Sequence, residues 1–326
     1  MNVELHASSA FSFLRGSSSP EALVERAAEL GYGVVALVDR DSVSGAPRFF
    51  KAAISAGLRP LVGAELTLAG GGCLPLLVES QRGYQNLCRL ITDMKSGRKK
   101  GEGELDLASL EESDRAQGLI ALPGVDTLGF PPDTDRLAHV LRVFGAANVA
   151  VDVQRHRRRR QEAANQALLD LADALGLNAV ATNGVRHARS AGRALMDVFT
   201  CIREKRTLAT AGRLLAENAE RHFKQPRHME ALFRDRPRLL RASEALAERL
   251  QFTLKDLGYR FPEYPVPPGE TIHSFLCRMT EIGAQGRFRP FHEQARRQIE
   301  RELALIGKLE LSGYFLIVWD LSLIHI

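Results

Sequence analysis

Seven short apolar runs recur through the first two thirds of the chain, and helical patterns separate most of them. They fall at residues 3–8, 34–39, 60–68, 74–79, 119–122, 148–154 and 178–183. Runs of this length, rich in Val, Leu and Ile, read as strands. "VVALV", "LPLLV" and "LIAL" are apolar almost without a break, as strands covered on both faces are. The intervening stretches carry helix signals. Ser19 offers a cap, Pro20 suits the first helical position, and Gly31 suits the stop. Further helices are predicted over 46–56, 83–94, 134–144, 158–175 and 191–203. This alternation predicts an α/β chain with a parallel sheet, either closed into a barrel or left open and doubly wound. His6, Asp39, Glu65, Asp152 and Asn183 all fall at or near the carboxyl ends of strands. Barrel sites are assembled at that end, which favours the barrel.

After residue 203 the strands stop. Residues 208–222, 227–233 and 236–250 have helical spacing. "GYRFPEYPVPPGE", residues 258–270, holds four prolines and reads as an extended connector. Helices are predicted again over 271–285 and 292–311. The expected organisation is a barrel at 1–203, a helical extension at 204–257, the connector at 258–270, helices at 271–320 and an atypical tail at 321–326.

With 45% hydrophobic and 25% charged residues, the 326-residue chain has a globular composition. It has no apolar run of about 18 residues, so no membrane span is expected. It does not open with a basic stretch and an apolar core, so no secretory signal is expected and the cytoplasm is the expected location. Cys73, Cys88, Cys201 and Cys277 form no CxxC and read as reduced thiols, the last two as core residues. Trp319, inside "YFLIVW", also reads as buried. Residues 1–150 carry a formal charge of −3 and residues 151–326 one of +8. The densest basic run is "RHRRRR", Arg155–Arg160, where a helix is predicted to start. Positive charge there opposes the helix dipole, so DNA, an acidic partner and plain solvent are all candidates to face it.

Residues 4–45, "ELHASSAFSFLRGSSSPEALVERAAELGYGVVALVDRDSVSG", resemble the opening of the polymerase-and-histidinol-phosphatase (PHP) domain of bacterial C-family DNA polymerases. "AGLRPLVGAELTL" and "LPLLVESQRGYQNLCRLIT" continue the likeness, and "LLAENAERHF" is similar to the error-prone subgroup related to the DNA polymerase III alpha subunit. The resemblance implies a distorted (β/α)7 barrel followed by a helical region. In members that hold metal it implies nine ligand positions. Of these, His6 and Glu65 remain. The others are Ser8, Arg15, Arg40, Cys73, Val125, Gly184 and Arg186, with Cys73 a weak candidate. His187 lies one residue out of register with the last motif. Three replacements are arginines, and an arginine repels a cation rather than binding it. The expectation is a barrel without metal, its old site held by Arg–Glu pairs.

The resemblance further implies an N-terminal piece of a longer error-prone polymerase that extends DNA in repair and translesion synthesis. In such a polymerase the resemblance places a glycine/serine-rich turn and an Asp-x-Asp pair that hold Mg²⁺ after the last predicted helix; neither follows it here, so no cofactor is expected in this piece. The expected partners are DNA and other repair or replisome proteins. The alternative is a metal-dependent PHP phosphoesterase, either a 3′–5′ exonuclease or histidinol-phosphatase-like.

Overall fold

In the computed structural model, which describes residues 2–99, 101–111, 113–255, 257 and 263–324, all seven apolar runs are strands. They are β1 (Val3–Ala7), β2 (Val34–Arg40), β3 (Arg59–Thr67), β4 (Cys73–Val78), β5 (Leu119–Ala121), β6 (Ala150–Gln154) and β7 (Asn178–Thr182). The helices are α1 (Pro20–Glu29), α2 (Ala46–Ser55), α3 (Gln81–Lys95), α4 (Val125–Leu128), α5 (Thr134–Phe144), α6 (Arg159–Leu175), α7 (Arg193–Glu204), α8 (Leu208–Ala211), α9 (Pro226–Leu232), α10 (Arg238–Arg249), α11 (Ile272–Arg287), α12 (Glu293–Lys308) and α13 (Ser312–Ile324). They divide between two compact units, Met1–Lys255 and Asp256–Ile326.

In the first unit β1 to β5 form one sheet in chain order, and β6 pairs with β7. Isolated parallel bridges, Ala121↔Val149, Gly124↔Asp152 and Ala7↔Val185, join the two pieces into a ring of seven strands. The predicted all-parallel sheet needs one correction: β4 runs antiparallel to both β3 and β5. Only residues 68–72 separate β3 from β4, a span too short for a crossover. Gly70, Gly71 and Gly72 all have positive φ and turn the chain straight back.

Each strand sends apolar side chains into the ring. Leu5, Ala36, Leu61, Leu77, Ile120, Ala150 and Val180 form one buried cluster, joined by Ala247 and Leu250 from the end of α10. Arg59 Nη2 ties that end to β3 by donating to Leu250 O at 2.6 Å and to Ala247 O. Between Glu4 and Ala7 the β1–β2 register shifts, a bulge that re-aims the strand end where His6 sits. The first helix is capped as predicted: Ser19 Oγ accepts from Ala22 N at 3.2 Å.

The predicted helix over 208–222 is also corrected. Only α8 and a single tight turn at Gly212–Leu214 are helical. Gly212, at φ +49, ends α8, and residues 215–222 adopt no helix; the barrel uses part of their backbone. Asn183 Nδ2 donates to Glu220 O at 3.0 Å and to His222 O at 2.6 Å.

Of the connector, residues 258–262 lie outside the described residues, and 263–270 adopt no helix or strand. In the second unit Leu276, Ala284 and Leu316 are buried. Trp319 and Cys277 are only half-buried, against the prediction, because they border open grooves between helices. The tail continues α13 to Ile324, and residues 325–326 lie outside the described residues. No described helix is long and apolar enough to cross a membrane.

Candidate functional site

The carboxyl ends of β1, β2, β3 and β6 bring His6, Arg40, Glu65 and Asp152 together. Glu65 is the centre. Its Oε2 lies 3.2 Å from Arg40 Nη1. Its Oε1 accepts from the Cys73 thiol at 3.0 Å and faces His6 Nε2 at 3.6 Å and Arg186 Nη2 at 3.7 Å. Only 1% of the Glu65 side chain is exposed, so burial by itself would favour the neutral acid. The His6 hydrogen bond and the Arg186, His6 and Arg40 charges outweigh it and hold the carboxyl well below its ordinary range.

His6 is clamped between two carboxylates, with Nδ1 2.9 Å from Asp152 Oδ2. Asp152 in turn accepts from Thr182 Oγ1 at 2.7 Å and from Gln154 Nε2 at 2.8 Å. Burial lowers the proton affinity of the ring, but the hydrogen bonds and charges of Asp152 and Glu65 outweigh that and raise its pKa to about 9. The folded value is above the ordinary 6.5, so the bound proton stabilises the fold fully below pH 6.5. That gain is lost as the pH rises through 9. We expect a loss on the order of 3 kcal/mol between pH 6.5 and 9 in denaturant titrations, flattened in His6→Gln. Equal alkaline limbs in the two proteins would contradict this clamp.

The family description that matches this chain is the PHP domain, over residues 4–181.

The chain belongs to the PHP family.

This PHP chain is 40% identical over 322 residues to an error-prone DNA polymerase of Pseudomonas savastanoi pv. phaseolicola, a match covering 98% of this chain and 31% of that protein. It is 38% identical over 324 residues to an error-prone DNA polymerase of Xanthomonas oryzae pv. oryzae, covering 98% of this chain and 29% of that one. The chain thus spans about three tenths of the length of these relatives. Among solved structures, an amidohydrolase from Chromobacterium violaceum aligns over 57% of this chain and 88% of its own, at 16% identity and TM-score 0.40, too loose a likeness to carry any argument.

The other ligand positions implied by the PHP resemblance fall as follows. Ser8 is buried and donates to Val38 O at 2.9 Å, serving the neighbouring strand. Val125 is half-buried at the start of α4. Gly184 has φ +55, and the space beside it is filled: a Cβ there would lie 2.3 Å from Gln154 Oε1. Arg15 is half-buried near Glu65 but makes no ion pair with it among the described residues. The predicted trio of arginines therefore resolves into two that reach Glu65 and one that does not. His187 turns away, with Nε2 3.3 Å from Ala219 O.

A divalent ion does not fit this set of donors. Both oxygens of Glu65 face donors, both nitrogens of His6 face carboxylates, and Arg40 and Arg186 put positive charge where an ion would sit. Among the described residues no group of three or more His, Cys, Asp or Glu is placed to hold a metal ion.

Sequence reasoning marked Asp152 as a strand-end carboxylate but did not pair it with His6. It missed Gln154 altogether, since no motif links residues 6 and 154. The basic run at 155–160 is mostly engaged within the chain. Arg155 pairs with Asp235 and with Glu162 at 2.8 Å, Arg158 with Glu217 at 2.5 Å, and Arg157 lies 3.8 Å from Glu220.

Proposed function

We propose that this chain is the PHP-containing part of an error-prone DNA-directed DNA polymerase, and that its barrel is a scaffold without metal rather than a phosphoesterase. The observation that carries the scaffold reading is the enclosure of Glu65 by His6, Arg40, Arg186 and Cys73. Hydrolysis in such a site needs ions that generate hydroxide and neutralise phosphate. Guanidinium groups supply neither the hydroxide nor a place for the ion. The 40% identity over 98% of this chain supports the polymerase reading. On that reading the whole protein extends DNA with Mg²⁺ held outside these residues. It works on DNA in the cytoplasm, in repair and translesion synthesis, alongside other repair or replisome proteins.

The test is elemental analysis of the purified chain after dialysis against Zn²⁺ and Mn²⁺, with a parallel phosphate-ester hydrolysis assay. The expected result is well under one equivalent of metal and no hydrolysis above background. Stoichiometric metal, or hydrolysis that stops when His6 or Glu65 is replaced, would overturn the scaffold reading and favour the phosphoesterase.

A further inference from the structure

The second unit sets a thiol beside an imidazole. Cys277 and His273 stand four residues apart on α11, one turn from each other on the same face. Cys277 Sγ and His273 Nε2 lie 3.6 Å apart. The other ring nitrogen, Nδ1, lies 3.0 Å from the hydroxyl of Ser312, a buried residue at the start of α13. The ring is seated over Gly307 of α12, where a Cβ would lie 2.8 Å from His273 Cε1. α11 thus supplies the thiol and the imidazole, α12 the slot that admits the ring, and α13 the hydroxyl that orients it.

With Nδ1–H donated to Ser312 Oγ, Nε2 keeps its lone pair toward Sγ and can accept the thiol proton. That is the order nucleophile, base, orienting group. The other cysteines lack it. Cys73 is buried and its thiol donates to Glu65, Cys201 is buried, and burial pushes the Cys88 thiol up. Among the described residues only Cys277 has an imidazole within reach of its sulfur. A reagent can also reach it. Cys277 is half-buried, His273 is exposed, and both line an open groove of about 520 Å³ walled by Phe291, Ile299 and Leu303.

We propose that Cys277 is a reactive thiol that takes up a small-molecule disulfide by exchange, with His273 as its base and Ser312 positioning His273. His273 Nε2 takes the proton from Sγ. The thiolate attacks one sulfur of the incoming disulfide, the reagent's S–S bond breaks, and a mixed disulfide forms at Cys277. The departing thiolate takes the proton from His273 and leaves as a thiol. Cys277 is oxidised and the departing half of the reagent is reduced, so the exchange needs no further oxidant. The site lies in the second unit and stands independently of the polymerase reading and of the metal-free barrel.

The experiment adds a limiting amount of oxidised glutathione to the reduced chain at neutral pH, quenches with acid and maps the adducts by peptide mass spectrometry. One adduct should form first, at Cys277, and Cys277→Ser should lose it. The same reaction is then timed on the chain unfolded in urea. Cys277 should react about tenfold or more faster in the folded chain, the low end of what a positioned base contributes. A merely exposed thiol gains nothing from folding. A first adduct at Cys88, or a folded Cys277 no faster than the unfolded one, overturns the proposal, and neither reading depends on how a variant folds.

A second arm follows the rate across about pH 6 to 8. His273→Gln should slow the reaction about tenfold near pH 7, and its rate should then climb about tenfold per pH unit, as that of a plain thiol does. The parent chain should climb more gently. Ser312→Ala should move the rate and the pH profile in the same direction by a smaller amount. A His273→Gln chain that keeps both the parent rate and the parent pH profile removes the base and overturns the proposal.

Discussion

Replacing Glu65 with glutamine is expected to destabilise the barrel by about 3–5 kcal/mol, the usual cost of breaking a buried ion pair by removing one partner. The side chain keeps its shape, so packing is not the cause. What disappears is the single carboxylate facing His6 Nε2, Arg40 Nη1 and Arg186 Nη2 at 3.6, 3.2 and 3.7 Å. Asp152 remains for His6, but Arg40 then has only Asp41, with Nε 3.7 Å from Oδ2, and Arg186 has no carboxylate within ion-pair distance among the described residues. The amide nitrogen also brings donors toward donors. Thermal unfolding should shift down on the order of 10 °C, and urea midpoints should fall with it. Adding Arg40→Gln to the Glu65→Gln protein should recover part of the loss, because it removes one of the stranded charges. Unchanged stability in Glu65→Gln would show that this cluster does not hold the barrel mouth together.

The strands were legible because a buried strand must be apolar for its whole length, and no other requirement competes there. All seven fall within two residues of their predicted ends. The direction of β4 was not legible from its composition, because an antiparallel strand buried on both faces is as apolar as a parallel one. The clue lay in the length of the turn at 68–72, too short for any crossover. The helix over 208–222 failed for a different reason. Its spacing is helical, but Gly212 sits at φ +49, outside the right-handed helical region, and α8 ends there. The arginines were legible as a group only because the resemblance assigns Arg15, Arg40 and Arg186 to one set of ligand positions. That Arg15 makes no ion pair with Glu65 among the described residues depends on how residues 9–17 close on themselves, which no spacing records. Asp152 and Gln154 reach His6 Nδ1, at 2.9 and 3.1 Å, across 146 and 148 residues of chain, so their roles follow from ring closure rather than from local sequence.

Putting a ligand residue back at one of the substituted positions that the resemblance implies should fail, and Gly184→Asp should show why. Its backbone, at φ +55, lies in the left-handed region, where aspartate is among the better-tolerated side chains, so the backbone alone costs little. The obstacle is Gln154. A Cβ at residue 184 would lie 2.3 Å from Gln154 Oε1, 2.7 Å from its Cδ and 2.8 Å from its Nε2. Gln154 would have to swing out of a buried position and give up the bond it donates to Asp152 at 2.8 Å. Asp152 would then hold His6 with one supporting donor fewer, and a new carboxylate would enter beside it. We expect Gly184→Asp to cost about 2–3 kcal/mol, from overpacking and the lost buried hydrogen bond together, without any gain in metal binding. Trimming the obstacle should reverse much of this. In the double variant Gly184→Asp with Gln154→Ala, the cost should fall below the sum of the two single costs by about 1–2 kcal/mol. Strict additivity of the two substitutions would mean that the glutamine does not fill the space beside residue 184. The barrel mouth would then have room for a side chain at residue 184, which these distances do not allow.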